Sequence, residues 1–246
     1  MSRSLLQLTG TDAVPFLQNL VTNDVTMLQD GAVYAALLTP QGKFLVDFFV
    51  FSDGSGGLLM DVAQDHAAKL LQRLTLYRLR ADVKIEHADR HLHRGTGTPP
   101  VDGWADPRHP DMGWRAWRDT PQPNTELPDW DARRVAHLIP EIDIELTPDS
   151  YILECNFEAI NGVDFRKGCY VGQEVTARMK HKTTLRKGLV RVHVSGAAQT
   201  GDDIVVNGKV VGQLLSRVDD TAIAYVRYDR AAPRMECGAG LVSVST

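Results

Sequence analysis

A single cysteine, Cys169, lies in the stretch GVDFRKGCYVGQEVTAR. The residues QEVTARM after it predict a helix with Glu174 in its first turn, so Cys169 should lie just before a helix N-terminus. Backbone N–H groups there, together with the charges of Arg166 and Lys167, favour thiolate over thiol. A thiolate is a nucleophile or a ligand for a soft metal ion. The same local pattern is also typical of a small buried residue in a tight corner, so both interpretations stay open.

Two glycines bracket this cysteine. Gly168 and Gly172 are expected to adopt positive φ angles or to allow a close approach of the backbone. Glu174 and Arg178 are four residues apart, in the order that gives an ordinary ion pair on one helix face.

A run of cations follows without any acidic residue between its first and last members. It contains Arg178, Lys180, Lys182, Arg186, Lys187 and Arg191, together with His181. Such a run indicates either a solvated face or a site for an anion such as a carboxylate, a phosphate or an acidic protein surface. Because no aromatic residues are interleaved with the cations, specific nucleic-acid recognition is not expected.

The preceding sequence predicts the elements that position these residues. A helix is expected over GTDAVPFLQNLVTNDV, because apolar residues recur there at helical spacing. A hairpin is expected around residues 39–42, and LLMDV predicts a further strand. The stretch DHAAKLLQRLTLYRL then predicts a second helix, and ADVKIE a strand. Helices that alternate with antiparallel strands give an α+β fold.

Composition changes twice along the remainder of the chain. Residues 89–128 are rich in proline, and only MGWRAWR within them predicts a strand, so this segment is interpreted as a loop-rich insertion or a reduced subdomain. A short helix is expected over residues 129–137. Short strands separated by turns, one of them at Asn207-Gly208, predict a small C-terminal β-barrel or sandwich. We therefore divide the chain into an α+β body, residues 1–185, and a C-terminal barrel, residues 186–246.

Bulk properties exclude several classes of protein. The chain has 246 residues and a net charge of -4, with 27 Lys and Arg against 31 Asp and Glu, so it has no general attraction to nucleic acid or anionic membranes. No apolar run predicts a membrane helix, and MSRSLLQLTG does not have the apolar stretch of a signal peptide. Three cysteines without metal-ligand spacing fit a reducing compartment. We expect a cytoplasmic bacterial protein with no signal or transit peptide.

The motif KGCYVGQEVTAR resembles the signature of the YgfZ-type family, relatives of the glycine-cleavage T-protein, an aminomethyltransferase. The blocks LTPQGKFLVDFFVF, LYRLRADVKI, DPRHPDMGWRAW and TAIAYVRYDRA resemble family blocks in the expected order, so the resemblance covers nearly the whole chain. The block from LIPE to VGQE is most similar to the branch that contains the mitochondrial assembly factor for 4Fe-4S proteins and its bacterial counterparts.

This resemblance implies a fold, a site and a function. The fold is a folate-binding-type α+β body of interwoven modules followed by a β-barrel. Cys169 is the implied functional centre, either as a transient iron–sulfur ligand, since thiolate is the ligand that such clusters require, or as a redox partner in cluster coupling. The implied supporting residues are Lys167, Gly168, Tyr170, Gly172, Gln173, Glu174 and Arg178. The candidates for binding folate or another anion are Asp47, Lys180, Lys182 and Arg186.

Two departures weaken the implied binding of tetrahydrofolate. Where the T-protein has two consecutive aspartates, this chain has Val46 and Asp47, and Ala136 stands where the T-protein has the glutamate that holds the pterin. A methyl group cannot accept the pterin N–H groups, and unpaired polar groups are costly in a buried site. We therefore do not expect a working aminomethyltransferase.

Three hypotheses follow. The first is an accessory factor in the maturation of 4Fe-4S proteins, which shares a cluster transiently with a carrier or client protein through Cys169. The second is a folate-dependent one-carbon transferase or demethylase. The third is an interaction scaffold in which Cys169 only packs.

Overall fold

The computed structural model describes residues 2–123 and 127–244. Two compact units share the chain, and each is built from two separate stretches. The first unit contains residues 1–128 and 158–174, and the second contains residues 129–157 and 175–246. The division at residue 185 remains a prediction.

The first unit contains a five-stranded antiparallel sheet of order β2-β3-β4-β1-β5. Its strands are β1 Arg3–Thr9, β2 Val33–Leu38, β3 Phe44–Ser52, β4 Leu58–Ala63 and β5 Lys84–Ala88. Its helices are α1 Ala13–Gln18, α2 Gln64–Arg78 and two 3-10 helices, Val25–Asp30 and Pro110–Met112. The α+β prediction is confirmed, although α1 is shorter than the predicted helix.

The predicted hairpin joins β2 and β3. Every residue of β2 is buried, which suits its largely apolar sequence VYAALL. The turn closes with a hydrogen bond from the Gly42 amide to the Thr39 carbonyl, at 2.8 Å, and Gly42 has φ 74°. Only glycine adopts such a φ without steric cost, so this residue fixes the turn.

The proline-rich segment contains more strand than predicted. It forms a three-stranded antiparallel sheet, β6 His91–Gly95, β7 Gly103–Ala105 and β8 Trp114–Arg118, in the order β6-β8-β7. The prediction of a single strand was wrong, because β6 is largely polar and β7 has only three residues. Neither has the alternation on which a strand prediction depends.

The second unit contains α3 Trp130–Ala136 and a six-stranded closed barrel. Its strands are β9 Lys187–Ala197, β10 Asp203–Val206, β11 Lys209–Val218, β12 Thr221–Arg227, β13 Met235–Cys237 and β14 Ala239–Val244. The predicted barrel is confirmed, including the Asn207-Gly208 turn, where both residues have positive φ. Buried apolar side chains fill its core, among them Val192, Val194, Ile204, Val211, Leu214, Val226, Met235 and Val242.

One further helix, α4 Gln173–Lys182, follows the cysteine motif. Among the described residues, no helix is both long enough and apolar enough to span a membrane.

Candidate functional site

Cys169 is the exposed cysteine of the chain, whereas Cys155 and Cys237 are buried. Burial raises the pKa of the Cys155 thiol to about 12, and it also raises the pKa of Cys237. Buried thiols of this kind are inert. The structure therefore leaves Cys169 as the thiol that is accessible to a metal, an oxidant or another protein.

Lys167 fixes the chain on the N-terminal side of this cysteine. Its side chain is buried, and its Nζ donates hydrogen bonds to the carbonyl oxygens of Gln18, Val21 and Asn23, at 2.7, 2.5 and 3.0 Å. Gln18 is the last residue of α1, where carbonyl groups have no partner within the helix and a cation is favourable. Burial lowers the pKa of Lys167 to about 8, while Asp24 and Asp164 oppose that shift.

Lys167 thus anchors the loop through backbone carbonyl groups. The other predicted charge, Arg166, is exposed, with its Nε 3.4 Å from Asp164 Oδ1. The predicted activation of the Cys169 thiol remains a prediction.

Tyr170 and Gly172 fix the chain on the other side. Tyr170 is buried, and its ring centroid lies 5.2 Å from Lys167 Nζ. Gly172 has φ 85°, and a Cβ atom there would lie 2.6 Å from the carbonyl oxygen of Thr39, in the β2–β3 turn. Any side chain at this position would therefore push the loop away from the turn.

The two glycines of the motif differ in their roles. A Cβ atom on Gly168 would meet nothing within 4 Å, and its φ is not positive, so the predicted steric need for glycine is confirmed at Gly172 and wrong at Gly168. The carbonyl of Gly168 accepts a 3.4 Å hydrogen bond from Gln173 Nε2, and the Gln173 amide donates to the Tyr170 carbonyl at 3.2 Å. Gln173 thus closes the loop at the start of α4.

Glu174 and Arg178 are exposed on α4. In the part of the chain that the structure describes, neither has an ion-pair partner, so the predicted salt bridge is wrong. Long exposed side chains lose conformational entropy in such a pair and gain little Coulomb energy, which is why spacing alone is a weak predictor.

Asp47 is buried in the first unit. Its Oδ2 accepts a 2.9 Å hydrogen bond from the Tyr34 hydroxyl, whereas its Oδ1 has no hydrogen-bond partner among the described residues. Burial raises the pKa of Asp47, although Arg3 and Arg108 oppose the shift. The neighbouring Val46 is also buried and apolar, so this position supplies one carboxylate.

A buried charge network that sequence reasoning missed lies in the same unit. Arg115 Nη1 donates to Asp61 Oδ2 at 2.9 Å, and Arg108 Nη2 donates to Asp106 Oδ2 at 2.8 Å. The guanidinium carbons of Arg115 and Arg108 lie 3.9 and 4.7 Å from the ring centroid of Phe49. In the sequence, the only indication of this network was the high density of charged residues in DPRHPDMGWRAW, one of the blocks that carry the family resemblance.

The cations after Cys169 separate in the structure. Lys182 and Arg186 line a pocket of about 540 Å³ in the second unit, whereas Lys180 is exposed on α4 and does not line it. The same pocket includes Glu154, whose Oε2 accepts a 2.6 Å hydrogen bond from the Tyr225 hydroxyl. Sequence reasoning missed Glu154 and Tyr225, because the two residues are 71 positions apart in the chain.

Ala136 is the last residue of α3. Its carbonyl oxygen accepts a 2.6 Å hydrogen bond from Arg191 Nη1, and its side chain offers only a methyl group. The residues at positions 46, 47 and 136 do not match the carboxylate pair and the pterin-binding glutamate that the resemblance to the T-protein implies for a folate site. We therefore derive no step through tetrahydrofolate.

Comparison with known proteins supports the sequence resemblance. The family model described as the CAF17 C-terminal beta-barrel domain matches residues 186–246. The curated relatives are named iron-sulfur cluster assembly factor IBA57 homolog, mitochondrial. The one from Aspergillus fumigatus is 28% identical over 99% of this chain and 68% of its own length. Those from Chaetomium globosum and Mycosarcoma maydis are 30% and 31% identical, over 85% and 76% of this chain.

The chain spans 59% and 54% of the lengths of the last two relatives. Their names place these relatives in mitochondria, and so give no support to the predicted cytoplasmic location. Among solved structures, the glycine cleavage system aminomethyltransferase T from Bartonella henselae matches with a TM-score of 0.75. That match covers 99% of this chain and 83% of the other at 13% identity. The predicted T-protein fold and the resemblance to the iron–sulfur assembly branch are confirmed.

Proposed function

We propose that this chain, which resembles the CAF17/IBA57 family of iron–sulfur cluster assembly factors and has an aminomethyltransferase-like fold, assists the maturation of 4Fe-4S proteins. The names of its relatives support a role in cluster assembly. The more specific proposal, that Cys169 carries this role, depends on the geometry of the cysteine loop.

The observation that carries the proposal is an exposed thiol on a loop that is held at both ends. Lys167 fixes one end through three backbone carbonyls, and Gly172 lets the other end pack directly on the β2–β3 turn. A mobile loop would lose conformational entropy each time its thiol engaged a partner. A fixed loop has lost that entropy during folding, so binding through Cys169 costs less.

The number of available thiols limits how many cluster ligands this chain can supply. Thiolate is the soft ligand that iron–sulfur clusters require, and a four-iron cluster takes four such ligands. Cys169 supplies one, and the two other thiols of the chain are buried. The cluster is therefore cargo that a carrier or client protein holds with its own cysteines, while Cys169 contributes one ligand during transfer. Cytoplasmic action and the identity of the partner remain predictions.

A complementation assay tests the role of Cys169. The Cys169→Ser variant is expressed in cells that have lost the protein, and the activity of 4Fe-4S enzymes is measured. We expect a loss of rescue, because serine is a poor ligand for iron in a cluster and has the same shape as cysteine. Equal abundance and melting temperature of the variant and the native protein must be verified.

Cys237→Ala is the matched control, since it also removes one thiol but leaves the loop intact. It should rescue enzyme activity to the native level, provided that the variant is as abundant in the cells as the native protein. Full rescue by Cys169→Ser would exclude a function of this thiol and would favour the scaffold hypothesis.

A further inference from the structure

The pocket in the second unit is unusual for its charge. Four cations line it, Lys182, Arg186, Lys187 and Arg227, against the single acid Glu154. Its volume of about 540 Å³ lies within the range of roughly 300–1,000 Å³ that is typical of small-molecule sites. Thr183 and Thr184 also line it, and the Thr183 hydroxyl donates a 3.5 Å hydrogen bond to the Arg178 carbonyl.

The single acid does not balance this charge. Glu154 accepts the hydrogen bond from Tyr225, and its Oε2 lies 3.7 Å from Lys187 Nζ. Arg227 is paired with Asp229 at 3.3 Å. Lys182 and Arg186, by contrast, have no carboxylate within 4.0 Å among the described residues. Two positive charges at the pocket are therefore left without an internal counterion.

The backbone that presents these cations is fixed. The carbonyl of Arg186 accepts a 2.8 Å hydrogen bond from the Tyr228 amide, and the Leu189 amide donates to the Glu154 carbonyl at 2.8 Å. A Cβ atom on Gly188 would lie 2.4 Å from Tyr228 Oη and 2.7 Å from the Glu154 carbonyl oxygen. Because residues 186–189 pack this closely against Glu154 and Tyr228, the backbone of Arg186 is held in a fixed position.

We propose that this pocket binds a small molecule that carries two or more anionic groups, either phosphate or carboxylate. A cationic surface that is only solvated needs neither a concave shape nor a glycine such as Gly188 packed closely against its neighbours. Both features are typical of a ligand-binding site. Arg186 can hold one anionic group with two parallel hydrogen bonds, and Lys182 adds a point charge for a second. This binding site does not involve Cys169 and is independent of the proposed function.

Calorimetric titration of the full chain with pyrophosphate and with citrate tests the proposal. The two probes present phosphate and carboxylate groups separately, so their relative affinities distinguish the two sources of charge. We expect saturable one-to-one binding of at least one probe below about 10 mM at low salt, and weaker binding at higher salt. The double variant Lys182→Gln, Arg186→Gln should bind that probe at least about tenfold more weakly.

Lys180→Gln is the matched control, because it removes the same charge from the same helix outside the pocket. Its affinity should stay within about twofold of the native value, and so should that of Cys169→Ser. Absence of binding of both probes to the native chain would overturn the proposal. An equal loss in the control and the double variant would also overturn it, since it would indicate general attraction to the cationic run.

Discussion

Lys167 is a buried cation whose ammonium group is surrounded by backbone carbonyl oxygens. The acceptors belong to residues 144 to 149 positions earlier in the chain. The short pattern Arg-Lys-Gly-Cys predicted a charge beside the thiol, because local sequence contains no information about such distant acceptors. The sequence thus identified Lys167 as part of the motif, and the structure adds an anchoring role that local sequence could not predict.

Replacement of Lys167 by methionine should destabilise the protein. Methionine keeps much of the side-chain volume but leaves three carbonyl groups without their donor, and each unsatisfied buried polar group costs about 1–3 kcal/mol. Because water can reach part of the site, we expect the free energy of unfolding to fall by about 2 kcal/mol at pH 7. Urea denaturation measures this change, and an unchanged midpoint would contradict the anchoring role.

The pH dependence of the free energy of unfolding, compared between the native protein and Lys167→Met, gives a second test. Lys167 has a pKa of about 8 when folded, below its ordinary value of 10.5. Between these two values the unfolded chain binds more protons than the folded chain, so this group makes the free energy of unfolding rise with pH. The native protein should therefore gain stability relative to Lys167→Met as the pH rises from about 8 to about 10.5.

The residue that follows α2 has a strained backbone conformation. Leu79, just after the helix, has φ 47° and ψ −104°, and its side chain is 88% exposed. The amide of Ala81 donates to the Arg78 carbonyl at 2.8 Å, so the chain turns tightly here. Such a backbone conformation is favourable for glycine and strained for leucine. Because the exposed side chain of Leu79 makes little packing contact, packing does not offset this strain.

Leu79→Gly should therefore stabilise the protein. Relief of a strain of about 1–3 kcal/mol exceeds the entropy cost of glycine in the unfolded chain, about 0.5–1 kcal/mol. We expect the free energy of unfolding to rise by about 1 kcal/mol, measured by thermal or urea denaturation. Leu76→Gly is the control, since Leu76 is an exposed residue within α2, and glycine there should cost about 1 kcal/mol. Destabilisation by both substitutions would contradict the strain at position 79.

Other elements differed in how well the sequence predicted them. The β2–β3 hairpin and the Asn207-Gly208 turn were predictable, because turn chemistry is local and glycine is required at a defined position. The strands β6 and β7 were not, since they owe their conformation to pairing with β8 and not to their own residues. The Cys169 loop was predicted as a motif, while its anchors became visible only in three dimensions.

At the scale of the whole molecule, the resemblance predicted the fold and the barrel, but it could not predict which inherited chemistry survives. The network around Phe49 joins Arg3, Asp61, Asp106, Arg108 and Arg115 from four separate stretches of the first unit. Its pairs are specified by packing, and a single sequence carries no record of them. The fold therefore limits the range of functions, and individual side chains decide among them.

Titration of the full chain with tetrahydrofolate decides between cluster assembly and a folate-dependent enzyme. The carboxylate of Asp47 is buried with a raised pKa, Val46 is apolar and Ala136 cannot accept hydrogen bonds through its side chain. A buried pterin with unpaired N–H groups would lose several kcal/mol of binding free energy, so we expect no saturation at concentrations on the order of micromolar.

The variants Asp47→Asn and Cys169→Ser separate the two interpretations. Micromolar binding to the native chain that is lost in Asp47→Asn and kept in Cys169→Ser would favour the folate-dependent enzyme, because the ligand would then depend on the buried carboxylate. Under the proposed function, Asp47→Asn should instead rescue 4Fe-4S enzyme activity in cells, provided that it folds, while Cys169→Ser should not. The proposed function thus predicts that rescue depends on the exposed thiol, whereas the folate-dependent hypothesis predicts that ligand binding depends on the carboxylate.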